Sequence, residues 1–523
     1  MEEPIVKLSR PEWTHKQCIS IARLAAQALT ETESLLTQSW SEQWWHTLLE
    51  YLELSQPELE SHAITCSDAL EILSNEEHDI RIEVLSDLLA LALHITPTAM
   101  KEDAKQSKAK HVMLYDAKSK RFLLQMEKCL KLTPGDLGSV EKNIAQQMYY
   151  SLLEQQEKSD DPNIKSTMDL STRKALSDSN KKKQALRWLA TGAGVIGGGA
   201  VIALTGGLAA PLLGSILAGA GMSFFATAGG VALVTSLFGL TGGGLTGWKM
   251  HKRVKGLDQF EFKQILNDPD LPPIPALHCT ICVSGFLLES KDETKTPWEL
   301  AFEKNRTHDE IFCLEYETDE LLELGYSFKK FVRDSAIKYA GMEVAKQTVL
   351  KAFFAAVTLP ATILKMADVI DNPWQVVVNR SRLAGNLLAD VLQERVQGSR
   401  PCSLIAYSCG SLVIWHCLLE LNRRGLHGLV DNVVLMGAPI SLEDTQEWQD
   451  ALNVVSGRFV NCYSESDWVL AYVYRLHSLT TNVAGLEPVK NVSNRIENIM
   501  VEIDGHTKYP AAVKEVLDLL RLE

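Results

Sequence analysis

The first 156 residues carry polar and apolar side chains in a helical pattern. Apolar residues recur every three to four positions through segments such as 19–29 and 80–93. This pattern predicts an all-helical N-terminal domain over residues 1–156. No residues of this region form a catalytic motif, so the apolar stripes are interpreted first as core packing that supports the rest of the chain. The alternative interpretation is a surface with which this helical region binds protein partners.

A long uncharged run follows the helical region. Residues 157–187 are rich in Ser, Asp, Lys and Asn and hold too few large apolar side chains to form a core, so they are interpreted as a charged linker. From Trp188 to Trp248 no residue is charged. A helix crosses a bilayer with roughly 20 apolar residues, so this run has room for two crossings and a turn. We therefore predict a glycine-rich transmembrane hairpin over 188–248. A buried pair of glycine-rich helices in a soluble protein is the alternative.

The charges on both sides of this run predict its orientation. Lys181–Lys183 and Arg187 precede it, and Lys249, Lys252, Arg253 and Lys255 follow it. By the positive-inside rule both flanks lie in the cytosol, which requires an even number of crossings. The acidic N-terminus shows no secretory signal, which agrees with this orientation. The expectation is a multi-pass protein of an intracellular membrane, with the lipid bilayer as a partner and both soluble regions facing the cytosol.

The pattern changes after about residue 277 to short β-rich runs separated by helices, which is typical of a mainly parallel sheet with helical crossovers. Residues 256–523 are therefore predicted to form an α/β domain, with a helical insertion near 320–395. In that insertion, 352–364 is uncharged but contains Pro360 and is too short to cross a bilayer. A lid, an interfacial helix and a helix covering the sheet all remain open for it. The candidate strands are 278–285, 310–317, 402–407, 432–436, 458–463 and 496–503.

Ser408 is the candidate nucleophile. It lies in the segment Ala406-Tyr-Ser-Cys-Gly410, between a predicted strand and a predicted helix. This is the nucleophile-elbow pattern G-x-S-x-G with alanine at the first glycine. Small residues are needed there because the turn brings the strand and the helix backbones close together. The turn also places Ser408 at a helix N-terminus, where the backbone N–H of Cys409 is predicted to be one oxyanion-hole donor.

Two later strands end in the residues that such a serine requires. Asp467 follows strand 458–463, and His506 follows strand 496–503. The order Ser, Asp, His is that of the α/β-hydrolases. His506 is expected to be the general base and Asp467 to fix its orientation. The alternatives are a surface histidine and a turn-capping aspartate, and Glu465 competes with Asp467 for the role of the acid.

A second oxyanion-hole donor is expected from a loop after an early strand. Ser284, Gly285 and Phe286 end the first predicted strand of the domain, and glycine there suits backbone N–H groups that turn toward an anion. A plain strand-ending glycine is the alternative. Gly437-Ala-Pro439 closes the next strand after the elbow, where small residues would leave room near the site.

Composition excludes some partners and cofactors. A net charge of −14 and a pI of about 5.5 argue against nucleic-acid binding, which needs a basic face. The ten cysteines are scattered, which predicts reduced thiols, most of them in the core. Cys279 and Cys282 lie in a predicted strand, where residues three apart point to opposite faces, so no metal site is expected there. No cofactor is predicted.

Several specific segments after about Arg187 carry a resemblance to a known family. They are Thr205–Leu212, Thr235–Gly239 and the following glycines, Val369–Trp374, the elbow, Gly437–Pro439, Asp467–Leu470, Val473–Arg475 and Gly505-His506. Through them the chain resembles the transmembrane and coiled-coil domain-containing protein 4 family over nearly everything after about Arg187. This resemblance implies a multi-pass membrane protein with an α/β-hydrolase-like domain of poorly defined function and no settled substrate. The family's elbow usually begins with glycine, where this chain has Ala406.

Two functions from different classes follow. The primary hypothesis is a membrane-anchored serine hydrolase of the lipase or esterase type, which cleaves a lipid-derived or acylated ester by acyl transfer through Ser408. The rival is a non-catalytic membrane scaffold or trafficking protein that retains a hydrolase fold. A soluble esterase is the third hypothesis.

Overall fold

The computed structural model describes residues 13–32, 38–106, 115–158, 235–239, 244–247, 256–265, 275–303, 309–339, 371–477, 482–503 and 505–521. The predicted linker lies outside them apart from its first two residues, and so do most of the predicted hairpin and segment 352–364. None of the described helices is both long and apolar enough to cross a bilayer.

Seven helices form the described N-terminal region, which confirms that this region is helical. Side-chain caps define several helix starts: Thr14, Ser55 and Thr65 each accept the backbone N–H three residues later, in a capping box. The apolar stripes predicted from the sequence face inward and form one hydrophobic core. The helices are α1 (His15–Glu31), α2 (Gln38–Leu52), α3 (Gln56–Ser61), α4 (Cys66–Ser74), α5 (His78–Gln106), α6 (Ala117–Cys129) and α7 (Asp136–Lys158).

Nine residues of the predicted hairpin are described, and the large apolar side chains among them pack in the protein interior. Leu237 and Phe238 join the core of the N-terminal helices, whereas Leu245, on the single turn α8 (Gly244–Gly247), joins the core of the sheet. The backbone of Gly239 packs against the backbone at Val396, and a Cβ on Gly239 would lie 2.6 Å from the Val396 carbonyl oxygen. Glycine-rich apolar segments suit such close protein packing as well as a bilayer.

The second half of the described chain is built on one seven-stranded sheet, in the order β1-β3-β2-β4-β5-β6-β7. Strand β1 runs antiparallel to β3, and every other neighbouring pair is parallel. The predicted α/β class with a mostly parallel sheet is therefore confirmed. The strands are β1 (Phe260–Ile265), β2 (Cys279–Val283), β3 (Glu310–Tyr316), β4 (Cys402–Tyr407), β5 (Val430–Met436), β6 (Phe459–Tyr463) and β7 (Ile496–Met500).

Helices cover both faces of this sheet. The right-handed rule for crossovers between parallel strands predicts the β2-to-β3 helix on one face and the helices that lead from β3 through to β6 on the other, because the chain progresses in opposite directions along the sheet. Observed contacts agree: α11 packs on α12, and α9 packs on α15. The helices are α9 (Thr296–Phe302), α10 (Thr318–Tyr339), α11 (Asp371–Gln393), α12 (Cys409–Arg423), α13 (Thr445–Asn453), α14 (Trp468–His477) and α15 (Tyr509–Leu520).

The strand order defines where a ligand would bind. The chain leaves β2 in one direction and β4 in the other, so the sheet has its topological switch point between these two neighbours. In open parallel sheets, ligands bind beside the carboxyl ends of the strands at such a point. The carboxyl ends of β2 and β4 carry Ser284–Phe286 and Ser408, the segments that the sequence selected for chemistry.

Candidate active site

A strained turn joins β4 to α12 and presents Ser408. This residue has φ 54° and ψ −132°, a backbone conformation that non-glycine residues rarely adopt. Such strain costs on the order of 1–3 kcal/mol and persists only where surrounding contacts enforce it. Here the Ser408 N–H donates to the Met436 carbonyl (2.8 Å), and the Ser411 N–H donates to the Ser408 carbonyl (2.9 Å).

Two glycines interlock beneath this turn. A Cβ on Gly410 would lie 2.3 Å from the Val283 carbonyl oxygen, and a Cβ on Gly285 would lie 2.2 Å from the Tyr407 oxygen and 2.4 Å from the Cys409 nitrogen. The end of β2 therefore lies directly against the elbow. Ala406, by contrast, sits in a regular part of β4 and is fully buried, so its methyl group fits where related elbows use glycine.

The three residues predicted for catalysis form a continuous hydrogen-bonded chain. The Ser408 Oγ lies 2.6 Å from His506 Nε2, and His506 Nδ1 lies 2.5 Å from Asp467 Oδ2. All three side chains are 0% exposed. A serine that donates to one imidazole nitrogen, while a carboxylate accepts from the other, is the arrangement in which imidazole removes the hydroxyl proton and the carboxylate holds the ring.

Asp467 is held by the loop that follows β6. Its Oδ1 accepts the Leu470 N–H (3.1 Å), which leaves Oδ2 for the histidine. The Ser464 hydroxyl donates to the Ile503 carbonyl (3.1 Å) and so ties this loop to the one that carries His506. Glu465 is exposed, whereas Asp467 is buried, so Glu465 does not occupy the acid position.

His506 lies in an aromatic enclosure that the sequence did not predict. Gly505 has φ +92°, which only glycine adopts readily, and it precedes a short 3-10 helix, His506–Lys508. The His506 ring lies 5.4–5.5 Å, between ring centroids, from Phe286, Phe328 and Tyr509. Phe328 comes from α10 in the predicted insertion, so this helix contributes to the wall of the site.

The small residue Gly437 explains part of this enclosure. A Cβ there would lie 2.5 Å from the Tyr509 ring, so the glycine after β5 makes room for an aromatic ring beside His506. The predicted space near the site is therefore filled by a side chain of the protein itself. Within the described residues, the buried Tyr509 hydroxyl has no hydrogen-bond partner.

The backbone N–H of Cys409 follows the serine directly, and the Phe286 N–H follows Gly285, where a Cβ would lie 2.4 Å from the Cys409 nitrogen. Neither N–H has an acceptor among the residues the structure describes. The first four N–H groups of any helix lack intrahelical acceptors, and Cys409 opens α12. The Ser284 side chain has a different task, since it accepts the Trp298 indole N–H (3.0 Å) and so supports the loop. Burial raises the pKa of the Cys409 thiol to about 12, so this neighbour stays protonated and does not compete with Ser408 as a nucleophile.

A second Ser-His-Asp set lies at the opposite end of the same strand. Ser403 Oγ is 3.3 Å from His278 Nε2, and His278 Nδ1 is 2.8 Å from Asp309 Oδ2. Burial by itself lowers the pKa of His278, but the carboxylates of Asp309 and Asp431 more than offset it and raise that pKa to about 9. The imidazole is therefore positively charged at neutral pH.

Helix α6 of the N-terminal region covers this second set. Arg121 donates through Nε to Asp431 Oδ1 at 2.7 Å, and Lys120 pairs with Glu141 at 2.7 Å. The prediction that most cysteines lie in the core is confirmed. Cys279 and Cys282 are fully buried in β2, and nine of the ten cysteines are buried.

Fold and site together define a mixed α/β protein that carries a Ser–His–Asp hydrogen-bond chain at the carboxyl end of a mostly parallel sheet. The chain belongs to the DUF726 family, described as protein of unknown function, whose family model matches residues 182–523. No solved structure matches the chain.

Several curated proteins are similar to this chain. A transmembrane and coiled-coil domain-containing protein of Oryza sativa subsp. japonica is 35% identical over 353 residues, which are 63% of this chain and 52% of that protein. An uncharacterized membrane protein of Caenorhabditis elegans is 32% identical over 416 residues, 77% of this chain and 63% of that protein. A probable lipase of Saccharomyces cerevisiae is 31% identical over 298 residues, 56% of this chain and 27% of that protein.

The family resemblance predicted from the sequence is thereby confirmed. The chain spans less than two thirds of the length of each of these relatives. Their names describe membrane proteins in two cases and a probable lipase in one.

Proposed function

We propose that this protein is a membrane-anchored serine hydrolase of the lipase or esterase type, with an α/β-hydrolase fold. The observation that carries the proposal is the buried chain from Ser408 through His506 to Asp467, at 2.6 and 2.5 Å. Strand order adds support: the nucleophile, the acid and the histidine follow β4, β6 and β7, the chain order of α/β-hydrolases.

The proposed reaction is an acyl transfer in two halves. The Ser408 Oγ attacks the ester carbonyl carbon while His506 Nε2 takes the hydroxyl proton, and His506 then gives that proton to the departing alcohol. Water next attacks the acyl-serine with His506 again as the base, which releases the carboxylic acid and restores Ser408. Asp467 stabilises the transient imidazolium and fixes the ring.

The oxyanion formed on the carbonyl oxygen is assigned to backbone donors. The N–H groups of Cys409 and Phe286 are proposed to donate to it, with the N-terminus of α12 adding a favourable dipole. Gly285 allows this pairing, since any larger residue there would push the β2 loop away from Cys409. Ser284 acts through its contact with Trp298, as a support for the loop.

The proposed substrate is a lipid-derived or acylated ester. Phe286 and Phe328 flank His506, and an apolar wall suits an acyl chain better than a charged metabolite. The names of the relatives as membrane proteins and, in one case, as a probable lipase support this choice. The uncharged run 188–248 is proposed to anchor the protein in an intracellular membrane, with both soluble regions in the cytosol and protein partners at the N-terminal helices.

Hydrolysis of p-nitrophenyl esters tests the enzyme class. The purified full chain in detergent should release many nitrophenolate molecules per protein from the butyrate or the palmitate ester, and a His506→Asn variant should release almost none. No turnover by wild-type protein with either ester would favour the non-catalytic scaffold. Turnover that persists in His506→Asn would remove the proposed base. Release of the wild-type protein from membranes by alkaline carbonate would instead support the soluble esterase.

A further inference from the structure

The N-terminal helices carry a cluster of side chains of the types that bind metal ions. In the sequence this cluster is far from Ser408, Asp467 and His506. His15, Glu58 and His62 place one ligand atom each so that all three atoms lie within 4.8 Å of one another. Among the described residues this is the one group of three or more His, Cys, Asp or Glu side chains with such spacing. We propose that these three residues bind one divalent transition-metal ion, with Zn²⁺ as the ion that the ligand set suits best.

Secondary structure explains how the three residues meet. Glu58 and His62 are four residues apart, on α3 and at the residue that ends it, so they lie one turn apart on the same side. His15 is the first residue of α1, which brings an imidazole from a different helix. The site therefore links two helices that are about 40 residues apart along the chain.

The distances are close to those of a coordinated ion. His15 Nε2 lies 3.3 Å from Glu58 Oε1, and the two imidazole ring centroids are 5.6 Å apart. Tetrahedral Zn²⁺ with bonds of about 2.0–2.1 Å separates its ligand atoms by about 3.3 Å. The His15–Glu58 pair already has that separation, and the remaining pairs need to close by no more than ~1.5 Å, which side-chain rotation supplies.

Neighbouring contacts hold the ligands in place. Glu58 uses its other oxygen, Oε2, to accept the Ser55 N–H at 3.3 Å, which leaves Oε1 toward His15. Arg23 of α1 donates to the carbonyl oxygens of Leu59 and His62, at 2.6 and 3.3 Å, and so fixes the end of α3 against α1. Such supporting hydrogen bonds orient metal ligands in known sites.

The chemistry of the ligands selects the type of metal. Two imidazoles and one carboxylate suit Zn²⁺ and its transition-metal neighbours, whereas Ca²⁺ and Mg²⁺ prefer oxygen ligands alone. The His15 and Glu58 side chains are 56% and 37% exposed, so an ion can enter from solvent and keep water in a fourth position. Binding would cross-link α1 and α3 and stabilise the N-terminal helices.

Titration of the full-length chain with Zn²⁺ and Co²⁺ tests this site. The experiment uses a Cys66→Ser background, which removes the exposed thiol of the same region. Calorimetry should give one Zn²⁺ per chain, Co²⁺ should produce visible absorption of a tetrahedral or five-coordinate site, and excess Zn²⁺ should raise the Tm by several degrees.

Variants of the ligands complete the test. Glu58→Gln keeps a capping-box side chain at the third position of α3 but removes the charge, and should weaken Zn²⁺ binding at least tenfold. A His15→Asn/His62→Asn double variant should lose the binding and the Tm rise. His46→Asn, which alters an exposed histidine of α2 outside the cluster, should bind like the parent. Absence of Zn²⁺ binding at micromolar concentration, or full binding by the double variant, would overturn the proposal.

Discussion

Strand β4 carries a Ser-His-Asp set at each end, and the two sets differ in backbone geometry, in the distance from serine to histidine and in the carboxylates around the histidine. Ser408 follows the carboxyl end of the strand, in a strained turn, and is 2.6 Å from His506. Ser403 lies near the amino end of the strand, where the pairing of β4 with β5 is irregular between Cys402 and Leu404, and is 3.3 Å from His278. The two serines are five residues apart, which is about 17 Å along an extended strand. Residue types alone therefore do not define a catalytic site.

The two histidines also differ in the carboxylates that surround them. His278 faces the carboxylates of both Asp309 and Asp431, which raise its pKa to about 9. A charged imidazole has protons on both nitrogens and accepts none, so Ser403 has no base beside it. Among the residues that the structure describes, the carboxylate in contact with His506 is that of Asp467, on Nδ1, and the Nε2 of His506 faces the serine.

The two ends of the sheet also have different neighbours. At the amino end, Arg121 of α6 pairs with Asp431, and the Tyr115 and Ala117 N–H groups donate to the carbonyls of Ser399 and Gly428. These contacts attach the N-terminal helices to the sheet. We infer that the amino-end set contributes to stability, and that the carboxyl-end set contributes to turnover.

Substitution of the two serines should give the largest difference in kcat between the two sets. Ser408→Ala removes the nucleophile and should lower kcat for ester hydrolysis by at least about 10³-fold. Ser403→Ala, at the other end of β4, should leave kcat within a few-fold of wild type. Equal losses in the two variants, measured side by side with p-nitrophenyl esters, would erase the distinction between the two sets.

The two aspartates form the next pair. Asp467→Asn should reduce kcat by roughly 10⁴-fold with little change in fold, because the histidine loses its orienting carboxylate. Asp309→Asn should keep kcat but lower the free energy of unfolding by about 3–5 kcal/mol, since it takes one partner from a buried charge network. Steady-state kinetics and urea denaturation measure both quantities. A kinetic defect in Asp309→Asn with unchanged stability would contradict this assignment.

Substitution of one glycine beside each set should give a smaller difference in kcat and Tm. Gly285→Ala places a methyl group against the elbow and should lower kcat by about 10²-fold, because misplacement of reacting groups by about 1 Å costs that much. Gly457→Ala instead places one 2.3 Å from Arg121 Nη2 and 2.5 Å from Asp431 Oδ1, and should lower the Tm with kcat preserved. The comparison fails if both variants lose activity and stability in the same proportion.

Stability should depend on pH in part through His278 of the amino-end set. The pKa of His278 is raised in the folded protein, to about 9 from an ordinary value of about 6.5, so its contribution is complete below pH 6.5 and is lost as the pH rises through 9. The contribution of His278 to the free energy of unfolding should fall by roughly 3 kcal/mol across this interval. Urea midpoints at pH 6.5, 8 and 9.5 measure the pH dependence. His278→Gln should show a shallower slope than the wild type, because the buried cysteines, whose pKa values are also raised, remain in the variant. An identical slope in that variant would assign the effect to other groups.

Much of the fold could be predicted from the sequence, because strands and their following loops are local features. Strand 402–407 has the predicted bounds, and the other predicted strands differ by a few residues at their ends. The sequence did not predict strand β1, which precedes the predicted strands. Its side chains alternate between buried and exposed only from Phe260 to Phe262, and the rest of the strand has no regular alternation. A single short edge strand carries too little periodicity to be separated from a loop.

The candidate site could be predicted from the sequence only for residues that directly follow a predicted strand. Ser408, Asp467 and His506 each follow a strand, so their order along the chain suggested a common edge. The sequence did not predict Phe328 and Tyr509 as part of the site. An aromatic side chain on a helix is interpreted as a core residue when the elements packed around that helix are not known. His278 and Asp309 were missed for a related reason, since each precedes a different strand and only the sheet order brings them to Ser403.

Covalent labelling tests the central claim most directly. The full-length chain treated with a fluorophosphonate should form one adduct, and peptide mass spectrometry should locate it on Ser408, with Ser403 unmodified. Ser408→Ala protein should remain unlabelled under the same conditions. A wild-type chain that stays unlabelled while an active serine hydrolase reacts alongside it, or an adduct that survives the Ser408→Ala substitution, would contradict the assignment of Ser408 as the nucleophile.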